Sequence, residues 1–336
     1  MSRFAALVSK SLLTLAIATA LTACAPRNDA SQATAETKAE PAATAPVPAP
    51  AAASEDVKAF SIGTLSAFAL RDGALEFPND NKVFGVGRTP EEVAAVLSAA
   101  GAPTDKIQLS LQPLLVKVGD RVLLFDTGAA SNFGPSAGKL PASLAAAGVD
   151  AASVTDIFIS HAHGDHIGGL VDAAGKLAFP NATVHVSKPE WDFLTALDAE
   201  KAKAFGIENH AALVAAVTPK LDAFAPESEL VPGTVKAVAI KGHTPGHSGY
   251  LIGSGNDTLL YIGDAAHSSI ISVQKPEWVN AFDGGGDTAL AAASRQKLIE
   301  QSAASGQRIY GVHFPFPGVG KFEKREGTHT YVWVAE

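Results

Sequence analysis

The chain has one cysteine, Cys24, and one methionine among its 336 residues. A single cysteine excludes an intrachain disulfide and a thiolate-built metal cluster, so any metal must be held by imidazole and carboxylate. Positive charge is also scarce: 26 Lys and Arg face 34 Asp and Glu, a formal net charge of −8. That balance argues against nucleic acid as a partner and against a surface that seeks anionic lipid. Only 18% of residues are charged against 47% hydrophobic, which is enough apolar material for a sizeable buried core.

The start reads as a targeting segment. Arg3 and Lys10 supply a positive region, and Ser11 to Leu21 is an apolar run too short to span a bilayer stably. Leu21-Thr22-Ala23-Cys24 then resembles the bacterial lipobox, which makes 1–24 a lipoprotein-type signal peptide with Cys24 as the lipidated residue. Ordinary cleavage at Ala23-Cys24-Ala25 is the competing reading. Ala25 in place of Asp favours the outer membrane, with a soluble periplasmic protein as the alternative. Residues 25–56 are mostly Ala, Pro, Thr, Ser and Glu. Too little apolar bulk is present to offset the entropy of ordering, so this stretch reads as a disordered linker and the only membrane contact expected is the lipid.

The remainder, 57–336, shows no second linker and no repeat, and reads as one domain of about 280 residues. Leu109 to Phe125 holds two β-rich runs around Gly119-Asp120, a hairpin signature. Short strands are expected at Thr155–Ser160, Thr183–Val186, Val235–Ile240, Thr258–Ile262 and Arg308–Val312. Helices are expected at Leu140–Gly148, Glu190–Ala204 and Ala289–Ser305. Strands and helices mix without the alternation of a doubly wound sheet, which suggests two sheets with helices outside. Polar clusters recur at strand ends, where loops on a rigid scaffold carry chemistry.

The densest cluster is His161-Ala162-His163-Gly164-Asp165-His166: three histidines and an aspartate directly after an apolar strand. Imidazole and carboxylate oxygen suit zinc and related divalent ions. His161 and His163 point to one ion and Asp165 and His166 toward a second, while Gly164, Gly168 and Gly169 let the backbone turn tightly beside them.

This run resembles the H-x-H-x-D-H signature of the metallo-β-lactamase superfamily. Gly242-His243-Thr244-Pro245-Gly246-His247, Ile262-Gly263-Asp264, Gly311-Val312-His313 and the early Asp126-Thr127-Gly128 turn are similar to that family's further motifs, in its order. The resemblance covers essentially all of 57–336 and implies an α/β chain with the metallo-β-lactamase fold, a four-layer αβ/βα sandwich. It implies two divalent ions per chain, zinc by default. His161, His163 and His243 would hold one, Asp165, His166 and His313 the other, and Asp264 would bridge them. His247 is expected to orient a ligand, and Asp126 to brace the metal loop. The implied chemistry is hydrolysis by a metal-bound hydroxide, since metal lowers the pKa of bound water from about 15.7 to near 7.

Asp165, Asp264 and His267 are the residues expected at the reacting atoms. Acyl-homoserine lactonases of the family place a tyrosine three residues after the bridging aspartate, where this chain has His267. The methyl parathion hydrolase group has histidine there, and Phe133-Gly134-Pro135-Ser136-Ala137-Gly138, Phe179-Pro180-Asn181-Ala182 and His313-Phe314-Pro315-Phe316-Pro317-Gly318 are similar to that group too. The expected substrate is a small ester, lactone or phosphotriester, with Phe133, Trp191 and Phe316 as candidates for an apolar pocket. Two alternatives stand beside it: an acyl-homoserine lactonase, and a non-catalytic zinc-binding lipoprotein. The relatives also imply a possible homodimer. His185, His210 and His329 read as packing or surface residues.

Overall fold

Apolar residues alternate in depth along the central hairpin, and that alternation sets the layers. Strands Leu114–Val118 and Arg121–Phe125 pair antiparallel with Val118 opposite Arg121, so Gly119-Asp120 is the two-residue turn expected. Successive side chains of a strand leave opposite faces. Leu115, Leu124 and Ile157 accordingly enter one core, while Leu114, Leu123, Phe125 and Phe158 enter another. A sheet buried on both faces must be apolar throughout, which is why these runs carry almost no polar residues.

The computed structural model describes residues 54–255 and 257–336. The signal and lipobox readings over 1–24, and the linker reading up to 53, lie outside the described residues. Residues 54–56, assigned to the linker from sequence, already engage the fold: Arg71 N donates to Asp56 O at 2.8 Å, and the two side chains pair at 3.0 Å.

Seven strands form the first sheet, ordered Val57–Ile62, Leu65–Leu70, Leu114–Val118, Arg121–Phe125, Asp156–Phe158, Thr183–Ser187 and Leu221–Phe224. The second sheet also has seven: Glu229–Val231, Val235–Ala239, Ser248–Ser254, Asp257–Tyr261, Arg308–Tyr310, Val319–Lys324 and Tyr331–Ala335. Their inner faces meet in a core that includes Phe125, Phe158, Tyr250, Tyr261 and Tyr310. Helices Leu140–Ala146, Lys188–Ala196 and His210–Val217 cover the outer face of the first sheet, and Thr288–Ser305 covers that of the second. This is the four-layer αβ/βα sandwich. A side layer made by the Gly73–Pro78 and Lys106–Leu111 pair, helix Pro90–Ala99 and Phe84 closes one flank.

The expected helix over Glu190–Ala204 is two helices, Lys188–Ala196 and Ala199–Ala204. Leu197 is extended (ψ 134°), and the Asp198 carboxylate caps the second helix by accepting from Lys201 N. Asp is a strong N-cap and a poor helix-interior residue, so the chain restarts there. Thr288–Ser305 forms as expected and stops at Gly306, whose φ of 69° suits a residue without Cβ. Among the described residues, no helix is long and apolar enough to cross a membrane.

Candidate metal centre

The C-terminal ends of several strands converge. Arg121–Phe125 leads into Asp126, Asp156–Phe158 into His161 and His163, Val235–Ala239 into His243, Asp257–Tyr261 into Asp264, and Arg308–Tyr310 into His313. Gly164, Gly168 and Gly169 were expected to permit a tight turn, yet none has φ in the left-handed region. Their contribution is space. A Cβ on Gly164 would run into the Gly206 carbonyl, and one on Gly169 into the Thr127 carbonyl.

Two groups of potential ligand atoms result: His161, His163, His243 and Asp264 in one, and Asp165, His166 and His313 in the other. His243 Nε2 lies 3.1 Å from both His161 Nε2 and His163 Nδ1. Asp264 Oδ2 faces this group, 3.7 Å from His161 Nε2 and 3.6 Å from His243 Nε2. Its other oxygen, Oδ1, faces the second group, 3.2 Å from His166 Nε2 and 3.0 Å from His313 Nε2. Asp165 Oδ2 closes that group at 3.6 and 3.5 Å from the same nitrogens. The structure thus gathers all seven residues named from sequence, with Asp264 between the two groups.

The outward nitrogens of these rings decide what fits between them. His166 Nδ1 faces Asp126 Oδ2 at 2.7 Å, His243 Nδ1 faces Asp283 Oδ1 at 3.0 Å, and His313 Nδ1 faces the Ser110 carbonyl at 2.8 Å. Each of those partners only accepts, so each Nδ1 carries the ring proton and each Nε2 turns a lone pair inward. With these three rings neutral, their inward lone pairs meet the carboxylate oxygens with no donor of their own to offer. His166 Nε2 and Asp264 Oδ1 are buried with no hydrogen-bond partner. A cation in each group satisfies this donor set, and the outward hydrogen bonds are the kind that fix ligand tautomers in metal sites. The residues present therefore fit two metal ions.

Electrostatics divide the site. Burial and the neighbouring imidazoles push His161 and His163 well below the usual histidine range, and burial takes His243 down to about 4. Burial acts the same way on His166, but Asp264, Asp165 and Asp126 outweigh it and raise the ring well above that range. Asp264 is held well below the carboxylate range despite burial, because His166, His313 and His267 surround it.

Several supporting residues carried no sequence signal. Glu190, fully buried, accepts from Ala162 N (2.7 Å), Thr244 Oγ1 (2.8 Å) and Gly246 N (2.8 Å), tying the His161–His163 loop to the His243 loop. Asp283 is neutralised on its far side by buried Arg295, at 3.3 Å. Asp126 and His247 occupy the supporting places expected of them. Asp126 also accepts from Ser160 and Tyr261, and His247 Nε2 accepts from Asp264 N at 2.9 Å.

Above the two groups lies a cavity of about 190 Å³, lined by Asp165, Asp264, His267, His163 and His313 and walled by Leu75, Phe77, Leu109, Phe133, Phe205 and Phe282. Phe133 is part of that wall. Trp191 and Phe316, named with it from sequence, are elsewhere. Trp191 is on helix Lys188–Ala196 and packs on the outer core of the first sheet, while Phe316 lies under the Arg71 guanidinium, 4.2 Å away, against the inter-sheet core. Phe205 and Phe282 take those places. A larger groove of about 1190 Å³ runs along helix Leu140–Ala146, but none of the seven ligand residues lines it. His185, taken as a packing residue, is buried between Asp156 (2.9 Å) and Asp222 (2.8 Å) within the first sheet. Neither it nor His210, whose Nε2 meets the Leu194 carbonyl, is in either ligand group.

Residues 113–302 match the family model described as the metallo-beta-lactamase superfamily. Among solved structures, AidC, a dizinc quorum-quenching lactonase in complex with the product N-hexanoyl-L-homoserine, is similar at 32% identity and a TM-score of 0.77, over 83% of this chain and 97% of that one. The hydrolase AbOPH of the beta-lactamase superfamily is similar at 28% identity and a TM-score of 0.75, over 85% and 99% of the two chains. A probable metal-dependent hydrolase from Staphylococcus aureus shares the fold at 23% identity and a TM-score of 0.68, over 82% and 99%. No curated protein matches this chain. The four-layer sandwich, the two ligand groups at its strand ends and these likenesses lead to one assignment: the chain belongs to the metallo-beta-lactamase superfamily and is a hydrolase.

Proposed function

We propose that this hydrolase cleaves small neutral esters, with lactones the preferred class, at a dinuclear zinc centre held by the seven residues gathered at the strand ends. The observation that carries this reading is the cavity: about 190 Å³, walled by phenylalanine and leucine, opening directly onto Asp165 and Asp264, with no lysine or arginine in its lining. Aromatic walls of that size suit a compact apolar substituent, and a lining without cationic side chains suits an uncharged substrate. The dizinc lactonase likeness supports both the ion and the lactone class, and imidazole-rich donor sets suit zinc.

When bound, the ions supply a water acidic enough to ionise near neutral pH and Lewis acids for the ester oxygen. The chain's own residues do the rest. Glu190, Asp126 and Asp283 hold the ligand loops and rings, so little reorganisation is needed as charge develops. Phe205 and Phe282 exclude bulk water from the reacting carbonyl. The Asp165 carboxylate, which lines the cavity, would hold the proton that the nucleophile loses and return it to the leaving oxygen.

Phosphotriesters are the second reading, favoured by His267 beside Asp264, at 3.1 Å, and by the resemblance to the methyl parathion hydrolase group. Parallel rates on an N-hexanoyl homoserine lactone, a p-nitrophenyl ester and methyl parathion separate the two. A lactone preference of about tenfold, ~1.4 kcal/mol in the barrier, supports the first reading. The same preference for methyl parathion replaces it with the second, and metal-loaded protein inert on all three overturns both.

A further inference from the structure

His267 enters the cavity wall already held from behind. Its ring lies between Phe282 (centroids 5.3 Å apart), Phe84 (6.4 Å, edge-on) and His313 (5.9 Å, nearly parallel). Its backbone N–H donates to Ser272 Oγ at 3.3 Å. Behind the ring, Asn280 Nδ2 is 3.2 Å from His267 Nδ1, and both residues are buried.

The way round of that amide is fixed by a third group. Asp283 N donates to Asn280 Oδ1 at 3.2 Å, so the amide oxygen points at Asp283 and the NH2 points at the imidazole. Turning the amide over would set the NH2 against the Asp283 N–H, two donors face to face. An NH2 can donate only to a lone pair, so Nδ1 of His267 carries no proton and the ring's proton sits on Nε2. That nitrogen is 3.1 Å from Asp264 Oδ2 but off the line a hydrogen bond needs, and it is buried with no hydrogen-bond partner among the described residues. It therefore carries an unused N–H beside the bridging carboxylate, on a residue that lines the cavity.

We propose that Asn280 is a positioning residue: it locks His267 in the Nε2–H tautomer, so that His267 donates a hydrogen bond to an oxygen of the ester bound in the cavity. This rests on the hydrolytic reading above. The role assigned to His267 is donor, and a base role is excluded, since its free lone pair faces Asn280 and not the substrate. A donor held in place before the substrate arrives stabilises charge on the ester oxygen without reorganising.

The test uses the zinc-loaded full chain with nitrogen-labelled histidine. Long-range proton–nitrogen correlation spectra distinguish protonated from bare ring nitrogens, and loss of one ring system in His267→Gln assigns the signals. The expected wild-type pattern is bare Nδ1 and protonated Nε2. The reverse pattern overturns the proposal without any variant having to fold. Asn280→Asp keeps the acceptor for Asp283 N–H but presents an oxygen to Nδ1, and should move a proton onto that nitrogen. Lactone kcat should then fall about tenfold or more with KM within about twofold. A proton that moves while kcat stays unchanged overturns the donor role. A purely structural role for Asn280 would lower stability and leave the nitrogen pattern as it was, which also overturns the proposal. A wild type with the expected spectrum but no turnover of any neutral ester overturns the hydrolytic reading and the donor's use together, and the spectrum distinguishes that failure from the others.

Discussion

Glu190 is the residue on which the geometry of both histidine loops depends, and its energetics can be worked through. Its carboxylate receives three donors, Ala162 N, Thr244 Oγ1 and Gly246 N, and no lysine or arginine approaches it among the described residues. Burial outweighs the three hydrogen bonds and pushes its pKa from 4.5 up to about 7. Glu190→Ala leaves three buried donors unmet, at about 1–3 kcal/mol each, so a loss of roughly 3–6 kcal/mol is expected after partial relaxation. Glu190→Gln keeps the shape, but its NH2 faces donors on the Thr244 and Gly246 side. The hydroxyl can rotate to accept and the Gly246 N–H cannot, for a loss of about 1–3 kcal/mol.

The sign of the pH dependence follows from the raised pKa. A carboxyl whose folded pKa lies above its unfolded value contributes most below the unfolded value, and that contribution is lost as pH rises through the folded one. The window is 4.5 to about 7. Across it, wild type loses roughly 3 kcal/mol relative to Glu190→Gln, which has nothing to ionise there. Urea unfolding of the two metal-loaded proteins between about pH 5 and 8 measures this, since other titrations are common to both and cancel in the difference. A difference that stays flat over that range refutes the burial argument, and a Gln variant as stable as wild type throughout refutes the loop-tying role.

Asp264→Ala should lose bound metal and reduce hydrolysis below detection, because both groups share that carboxylate; unchanged metal content and rate would remove the bridging role. Asp283→Asn should weaken ion binding at His243 by about 10–100-fold, and it strips buried Arg295 of its counter-charge, so chelator competition and thermal melting should both move. Phe205→Ala or Phe282→Ala should relax the cavity wall and shift the kcat/KM ratio toward longer or bulkier acyl substituents, read from a lactone chain-length series. For the envelope location we propose from the lipobox-like run, Cys24→Ala should move the protein from the membrane fraction to the soluble periplasm, and an unmoved protein rejects the lipid anchor.

Legibility in the sequence tracked the range of the physics. Four of the seven ligand residues were readable because they fall in one six-residue run of histidine and aspartate, and the family resemblance supplied His243, Asp264 and His313. Two sheets with helices outside were readable from apolar strands such as Leu114–Val118 mixing with helices without strict alternation, and the four layers came from the family resemblance. The N-terminal strand Val57–Ile62 and the closing strand Tyr331–Ala335 were not, since each is half-exposed at a sheet edge and too mixed in polarity to stand out. Glu190, Asn280 and Asp283 were invisible for another reason. Each acts on a residue 13 or more positions away, through contacts that only the fold creates. The pocket failed in part on the same ground. Phe133, Trp191 and Phe316 were chosen by nearness to motifs along the chain, whereas Phe205 reaches the cavity by stacking on His163, at 5.0 Å, from a helix end that had not been separated from its neighbour.

The buried charge of the centre sets how the protein should respond to chelation. Asp126, Asp165, Asp264 and Asp283 crowd one site, and Arg295 is the one arginine or lysine that pairs with any of them among the described residues. That excess of negative charge in a low-dielectric interior is what raises His166 and His313 against the effect of burial. Without ions, protons on those two rings supply the missing positive charge. Rings whose folded pKa lies above 6.5 stabilise the fold fully below that value and lose the contribution as pH rises through the folded one. Bound ions should remove this dependence, because they supply the charge permanently and displace the protons. The melting gap between loaded and chelated protein should therefore widen steadily from about pH 6 to 9. A gap that is constant, or narrows on the alkaline side, would mean that the carboxylates are compensated from elsewhere and that the ions are not what the cluster is built to hold.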